Sequence, residues 1–159
     1  MPCFSNQKVI YWTKPDRDFK PNIADYMEFK LEHFALNVSD PVAMAAWYEK
    51  NLGLKIVRKS GGAHHTHFLG DYSGSILLEI YNNPADQVPP YKTMNPLLLH
   101  LAFVSKDPLA DAEFLKNAGA SFVEEVHLPD GSHLVMLRDP WGLAIQFCKR
   151  GKSMLADRS

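Results

Sequence analysis

Two histidines and two other polar side chains interrupt apolar runs at one constant interval. His33 lies in LEHFALNV and His100 in LLLHLAFV, and 100 − 33 = 67. Glu79 lies in ILLEIY and Gln146 in LAIQFC, and 146 − 79 = 67. The Asp40-Pro41 and Asp107-Pro108 pairs repeat at the same distance. One duplicated unit puts these residues at equivalent positions, and folding about a pseudo-twofold axis would turn them toward one another. A lone strand histidine is ordinarily a hydrogen-bonded core residue, and a lone strand glutamate an ion-pair partner. Two imidazoles and a carboxylate on matched inward positions instead make a two-histidine, one-carboxylate donor set. Such a set leaves open positions for water or substrate and suits Zn, Ni, Co, Fe or Mn. The spacing therefore predicts one divalent metal held by His33, Glu79 and His100. Gln146 lies adjacent, either coordinating through its amide oxygen or holding a water at the ion.

The elements that must position these residues follow from hydrophobic period and capping. In LEHFALNV, Phe34, Leu36 and Val38 alternate with His33, Ala35 and Asn37, a strand pattern. Asp40 is an N-cap, Pro41 suits the first helical position, and Gly53 suits the C′ position. LKIVRK, THFLG and SILLEIYN then read as three strands. Residues 97–149 repeat the order with LLLHLAFV, a helix from Asp107 to Gly119, and the strands SFVEEVHL, SHLVMLR and LAIQFCK. The expected architecture is α+β: two βαβββ modules forming a cupped eight-stranded mixed sheet. Its divisions are an arm at 1–29, a first module at 30–83, a proline-rich linker at 84–96, a second module at 97–149 and a tail at 150–159. The arm, with Ile10, Tyr11 and Trp12, is expected to dock on the body or on a second subunit. Strand parity places Asn37 and Tyr81 in the cup beside the small residues Ala35, Ala102 and Ala144. In the cluster His64-His65-x-His67, His67 is the member expected to reach the pocket. Trp141 either borders the pocket or packs in a core or interface, and His133 reads as a hairpin-end residue.

Composition narrows the function classes. The chain has 159 residues, 46% apolar and 22% charged, an ordinary globular balance. A net charge of −1 gives no global field for nucleic acid or an anionic membrane. Apolar runs are shorter than the ~20 residues that span a bilayer. Cys3 and Cys148 lack CxxC context, which with the absence of a signal-like start predicts a reduced, cytoplasmic protein.

The motifs HFALNVSD, WYEKNLGLKIV, LLEIYNN, LLLHLAFVS and DPWGLAIQF resemble the vicinal-oxygen-chelate superfamily over roughly residues 30–149. That superfamily includes glyoxalase I, extradiol dioxygenases and bleomycin-resistance proteins. The resemblance implies metal ligands from the first and last strand of each module, which are His33, Glu79, His100 and Gln146 here. It also implies that Asn83 matches an asparagine that contacts glutathione in glyoxalase I. Gln146 stands where glyoxalase I carries its glutamate base, and Asn37 where it carries a glutathione-binding arginine. An amide cannot act as a general base near neutral pH, so pseudo-symmetry offers Glu79 as catalytic base. The expectation is a metal-dependent, glyoxalase-type lyase or isomerase acting on a small oxygenated substrate as a homodimer. The alternatives are a metal-free protein that sequesters a drug-like molecule, and an extradiol-type dioxygenase.

Overall fold

In the computed structural model the described residues are 31–74 and 77–154. The expectations for the arm, including Cys3, Ile10, Tyr11 and Trp12, lie outside them, as do those for Ser75, Ile76 and residues 155–159. All but one of the described residues fall within a single compact unit, Glu32–Ser159.

This unit contains two βαβββ modules in tandem. The first runs β1 (Phe34–Asn37), α1 (Pro41–Leu52), β2 (Lys55–Lys59), β3 (His67–Gly70) and β4 (Leu77–Tyr81). The second runs β5 (His100–Val104), α2 (Pro108–Asn117), β6 (Ser121–His127), β7 (His133–Arg138) and β8 (Ala144–Lys149). Both helices start alike. The Asp40 carboxylate accepts from the Ala43 N–H at 3.0 Å and Asp107 from the Ala110 N–H at 3.1 Å, each with proline in the first turn. Each cap satisfies an N–H that the helix itself leaves unpaired. Gly53 ends α1 in the left-handed conformation, with φ +70°.

Each module builds a four-stranded sheet, in the orders β1-β4-β3-β2 and β5-β8-β7-β6. The first and last strand of each module pair in parallel, and the other pairs are antiparallel. The eight strands thus form two sheets in the chain, with β1 and β5 as edges. One element is shorter than its apolar pattern suggests. LLLHLAFV becomes strand only at His100, because Asn95 bends the chain first: its side chain accepts from Leu97 N–H and its carbonyl from Leu98 N–H.

Strand parity assigns the two faces of each sheet. Leu36, Val38, Leu69, Leu78 and Ile80 lie under Met44, Ala45 and Tyr48 of α1. Val135, Leu137 and Phe147 lie under Ala112 and Leu115 of α2. Trp47 and Leu52 pack against both clusters, and the Trp47 indole donates to the Ala118 carbonyl at 2.8 Å. The modules therefore join through their helix sides. The opposite faces, carrying Ala35 and Glu79 in one sheet and Ala102 and Gln146 in the other, are left as the cup faces.

Candidate metal centre

Glu79 and Gln146 occupy the same place in two equivalent cross-strand rows. In the first sheet the row is Ala35, Glu79, Phe68, Arg58; in the second it is Ala102, Gln146, Met136, Glu124. Paired residues project from the same side of a sheet, so each row lies on a cup face. The alanine beside each central residue leaves space above it.

His33 immediately precedes β1. Its Nε2 lies 3.3 Å from Glu79 Oε2, while its Nδ1 bonds the Glu32 carboxylate. The ring also meets Phe68 edge-on, with centroids 5.8 Å apart. The hydrogen bond to Glu32 raises the His33 pKa above its ordinary value, with the negative charges of Glu32 and Glu79 adding to the effect. His100 opens β5, and its Nδ1 lies 3.1 Å from the Pro96 carbonyl. A carbonyl only accepts, so Nδ1 carries the proton in the neutral ring and Nε2 keeps its lone pair. Anchoring one imidazole nitrogen to a carbonyl or carboxylate while freeing the other is how proteins orient a metal-ligating histidine. His100 has that arrangement, whereas the second nitrogen of His33 faces Glu79.

The chain brings one pair of these donors together. His33 and Glu79 face each other on the first module, and His100 lies on the edge strand of the second. Among the described residues, His33, Glu79 and His100 do not converge as a trio; the one group of three that does is Glu125, His127 and His133. The donor chemistry of His33 and Glu79 fits two positions of a divalent ion, since an N···O separation of 3.3 Å accommodates two bonds of ~2.0–2.2 Å. Gln146 Oε1 accepts from the Cys148 thiol at 3.1 Å.

Around Glu79 the residues Ala35, His64, Thr66, Tyr81 and Asn83 line an open depression of about 310 Å³. Tyr81 and Asn83 thus border the same depression as Glu79. Asn37 is on the same face, but its side chain is engaged: Oδ1 accepts the Asn83 N–H at 2.9 Å, and Nδ2 reaches the Asp86 carbonyl at 3.5 Å. It shapes the wall of the depression.

Two expected pocket residues lie elsewhere. His67 registers with Ile80, on the helix side of the sheet, where it is buried and its Nδ1 bonds the His65 carbonyl. The parity of β3 places Phe68 rather than His67 beside Glu79. Trp141 follows Asp139 and Pro140 into the turn between β7 and β8, where it packs edge-on against Trp47 and borders the linker at Val88–Thr93. It belongs to the join between modules.

Arg58 and Glu124 are the cup-face charges that simple alternation hides. Leu54, Ile56 and Arg58 would share a face in a regular strand, but β2 is irregular between Ile56 and Arg58. The matching irregularity in β6 falls between Phe122 and Glu124. A bulge adds a residue and flips the parity beyond it. The sequence signal is the repeat itself, since 124 − 58 = 66 places both at nearly equivalent positions.

Known proteins of this architecture give the fold a family. The family model described as Glyoxalase/Bleomycin resistance protein/Dioxygenase superfamily matches residues 30–147. The chain belongs to this superfamily. Among solved structures, SMU.1112c is 27% identical, with a TM-score of 0.61 over 76% of this chain and 98% of that one. A glyoxalase I mutant from Zea mays is 22% identical, with a TM-score of 0.61 over 77% of this chain and 46% of that one. TnmS3, an antibiotic-binding protein from Streptomyces sp. CB03234, is 18% identical, with a TM-score of 0.59 over 77% and 99%. No curated protein matches the sequence. Among the described residues, no helix is long and apolar enough to cross a membrane.

Proposed function

We propose that this superfamily member is a metal-dependent lyase or isomerase of glyoxalase type, acting on a small oxygenated substrate. Its site would be completed between two copies, His33 and Glu79 coming from one chain and His100 and Gln146 from the other. The observation that carries this reading is the pairing of His33 Nε2 with Glu79 Oε2 at 3.3 Å on a cup face, with His100 held through Nδ1 on the other module. Each module thus presents half of a donor set, and an isologous dimer would supply the missing half twice.

A divalent metal at this site would supply Lewis-acid polarisation of a substrate carbonyl. The chain's own residues would do the rest. His33 and His100 present Nε2 donors fixed by Glu32 and the Pro96 carbonyl. Glu79 accepts a proton from the carbon beside the substrate carbonyl and returns it to the neighbouring carbon or oxygen. Gln146 positions by hydrogen bonding and leaves proton transfer to Glu79. The depression bordered by Tyr81 and Asn83 receives the remainder of the substrate.

A mixed-dimer experiment tests the arrangement. His33→Ala and His100→Ala chains should each lose the metal bound at the cup. A purified dimer containing one of each should recover half of the wild-type cup metal, because one of its two cup sites keeps all its ligands. Wild-type monomer by light scattering, or a mixed dimer with no cup metal, would refute it.

The metal-free binding reading has its own supporting observation. A mostly apolar depression of about 200 Å³ lies between Phe34, Leu54, Leu69, Leu78, Leu101 and Phe103, with Asp71 and His100 also lining it. Protein purified without chelator that lacks stoichiometric metal, yet protects a drug-like aromatic from extraction, would favour this reading. Oxygen uptake with Fe(II) and a catechol would favour the dioxygenase.

A further inference from the structure

We propose that the hairpin of β6 and β7 carries a second metal site, for a divalent transition ion of the zinc, copper or nickel class, built from Glu125, His127 and His133. His127 and His133 are direct cross-strand partners at the last pair before the loop, and Glu125 stands two residues before His127 on the same face. Their rings stack, with centroids 4.2 Å apart and planes 15° from parallel. Both Nε2 atoms point at one carboxylate oxygen, Glu125 Oε1, at 3.2 Å from His127 and 2.8 Å from His133. One donor atom from each residue lies within 4.8 Å of the other two.

This geometry differs from a scattered surface cluster. Both imidazole nitrogens meet one carboxylate oxygen, and all three residues sit in the hydrogen-bonded β6–β7 ladder. The turn is also fixed. Leu128 N–H donates to the Ser132 carbonyl at 2.9 Å, and Ser132 N–H to the Asp130 carboxylate at 2.9 Å. The Gly151 N–H donates to the Ser132 hydroxyl at 3.1 Å, tying the chain beyond β8 to the loop. The donors are therefore preorganised, so little side-chain ordering remains to be done on binding.

Two imidazoles with a single carboxylate select borderline transition ions over Mg²⁺ or Ca²⁺, which favour all-oxygen shells. Three protein donors leave at least one position for water or for a donor from another molecule. Lys149 registers with His133 on β8 and lies on the same face. The site is independent of the cup. Glu125, His127 and His133 alternate with Glu124, Val126 and Leu134, which share the face of Gln146.

The test uses the full chain in a His33→Ala/His100→Ala background, which removes the cup histidines. Titration with Zn²⁺ should give one ion per chain, and the ion should raise the thermal midpoint by bridging β6 to β7. Adding His127→Ala or His133→Ala should weaken Zn²⁺ binding at least ~10-fold and abolish that rise; Glu125→Gln should weaken it less. With Cu²⁺, the electron paramagnetic resonance spectrum should show coupling to two nitrogens, reduced to one in either histidine variant. All five residues are surface or half-buried, so folding is checked by far-UV circular dichroism. Zn²⁺ affinity equal in the background and in the histidine variants would overturn the site, as would a Cu²⁺ spectrum unchanged by them.

Discussion

The Tyr48 hydroxyl donates to Asp139 Oδ2 at 2.8 Å, joining the helix of one module to the last turn of the other, 91 positions away. Both residues are buried. Asp139 Oδ1 meanwhile accepts from the Trp141 and Leu143 N–H groups, each at 2.9 Å. The carboxylate is thus the polar hub of the module join.

Burial pushes the Asp139 carboxyl up to about 6, although its hydrogen bonds from Tyr48, Leu143 and Trp141 pull it down. The folded state therefore binds the proton more tightly than the unfolded chain does. The stabilisation from that proton is complete below about pH 4 and is lost as pH rises through about 6. Asp139→Asn keeps an acceptor for the N–H groups and removes the titration. Its stability relative to wild type should rise between pH 4 and 7, by at most about 3 kcal/mol. Denaturant unfolding of both proteins across that range measures the difference. Parallel curves would show that Asp139 does not titrate as burial dictates.

Gly142, in the same turn, is pressed against the linker. Its φ is +95°, and a Cβ there would come 2.3 Å from Lys92 Cγ and 2.7 Å from Lys92 N. Neither the backbone angle nor the contact admits a methyl group. Gly142→Ala should cost about 2 kcal/mol or more, since positive-φ strain and backbone overlap act together. A thermal midpoint equal to wild type would contradict this packing.

Much of this architecture is legible in the sequence, because the repeated signals are local. The Asp-Pro starts, the glycine stop at Gly53 and the alternation of Leu36 and Val38 with Ala35 and Asn37 all act within a few residues. The cup-face rows are legible for Glu79 and Gln146 because parity near them is regular. Parity fails at Arg58 and Glu124, where a bulge depends on the partner strand. His67 lies off the cup face because of a one-residue phase in β3, and of the two places open to Trp141 a tertiary contact with Trp47 selects the join between modules. The Glu125, His127 and His133 group was hidden because its members converge only when a five-residue loop fixes the register of β6 on β7.

The roles of the cup carboxylates can be separated by three substitutions. Glu79→Gln should abolish turnover of a validated substrate while leaving the circular dichroism spectrum unchanged. Gln146→Glu should preserve or raise proton-transfer activity, because it restores a carboxylate on the equivalent row. Glu124, also on the cup face, lies two strands from Gln146, and Glu124→Gln should leave kcat within about threefold of wild type. If Glu124→Gln is inactive and Glu79→Gln active, the base is Glu124.

Arg138 should influence the metal without touching it. Its guanidinium donates to the carbonyls of Tyr91 at 2.6 Å, Gly142 at 2.9 Å and Met94 at 2.7 Å. The Tyr91 hydroxyl in turn donates to the Asn37 carbonyl at 2.9 Å, so the linker is clasped from both modules. Two residues after Met94, the Pro96 carbonyl holds His100 Nδ1. Arg138→Met keeps much of the apolar stem and deletes all three bonds, leaving carbonyls short of donors. Net contributions of ~1.5–3 kcal/mol are typical of hydrogen bonds to a charged group, and the three are not additive. The variant should lose about 2–4 kcal/mol of stability in denaturant unfolding. It should also bind the cup metal ~10-fold more weakly, the range seen when a ligand's outer support is removed. Weaker binding without a change in His33–Glu79 contacts, read from histidine NMR shifts, would place the effect at His100. Unchanged metal affinity in a destabilised Arg138→Met protein would mean that Pro96 holds His100 without help from the clasp.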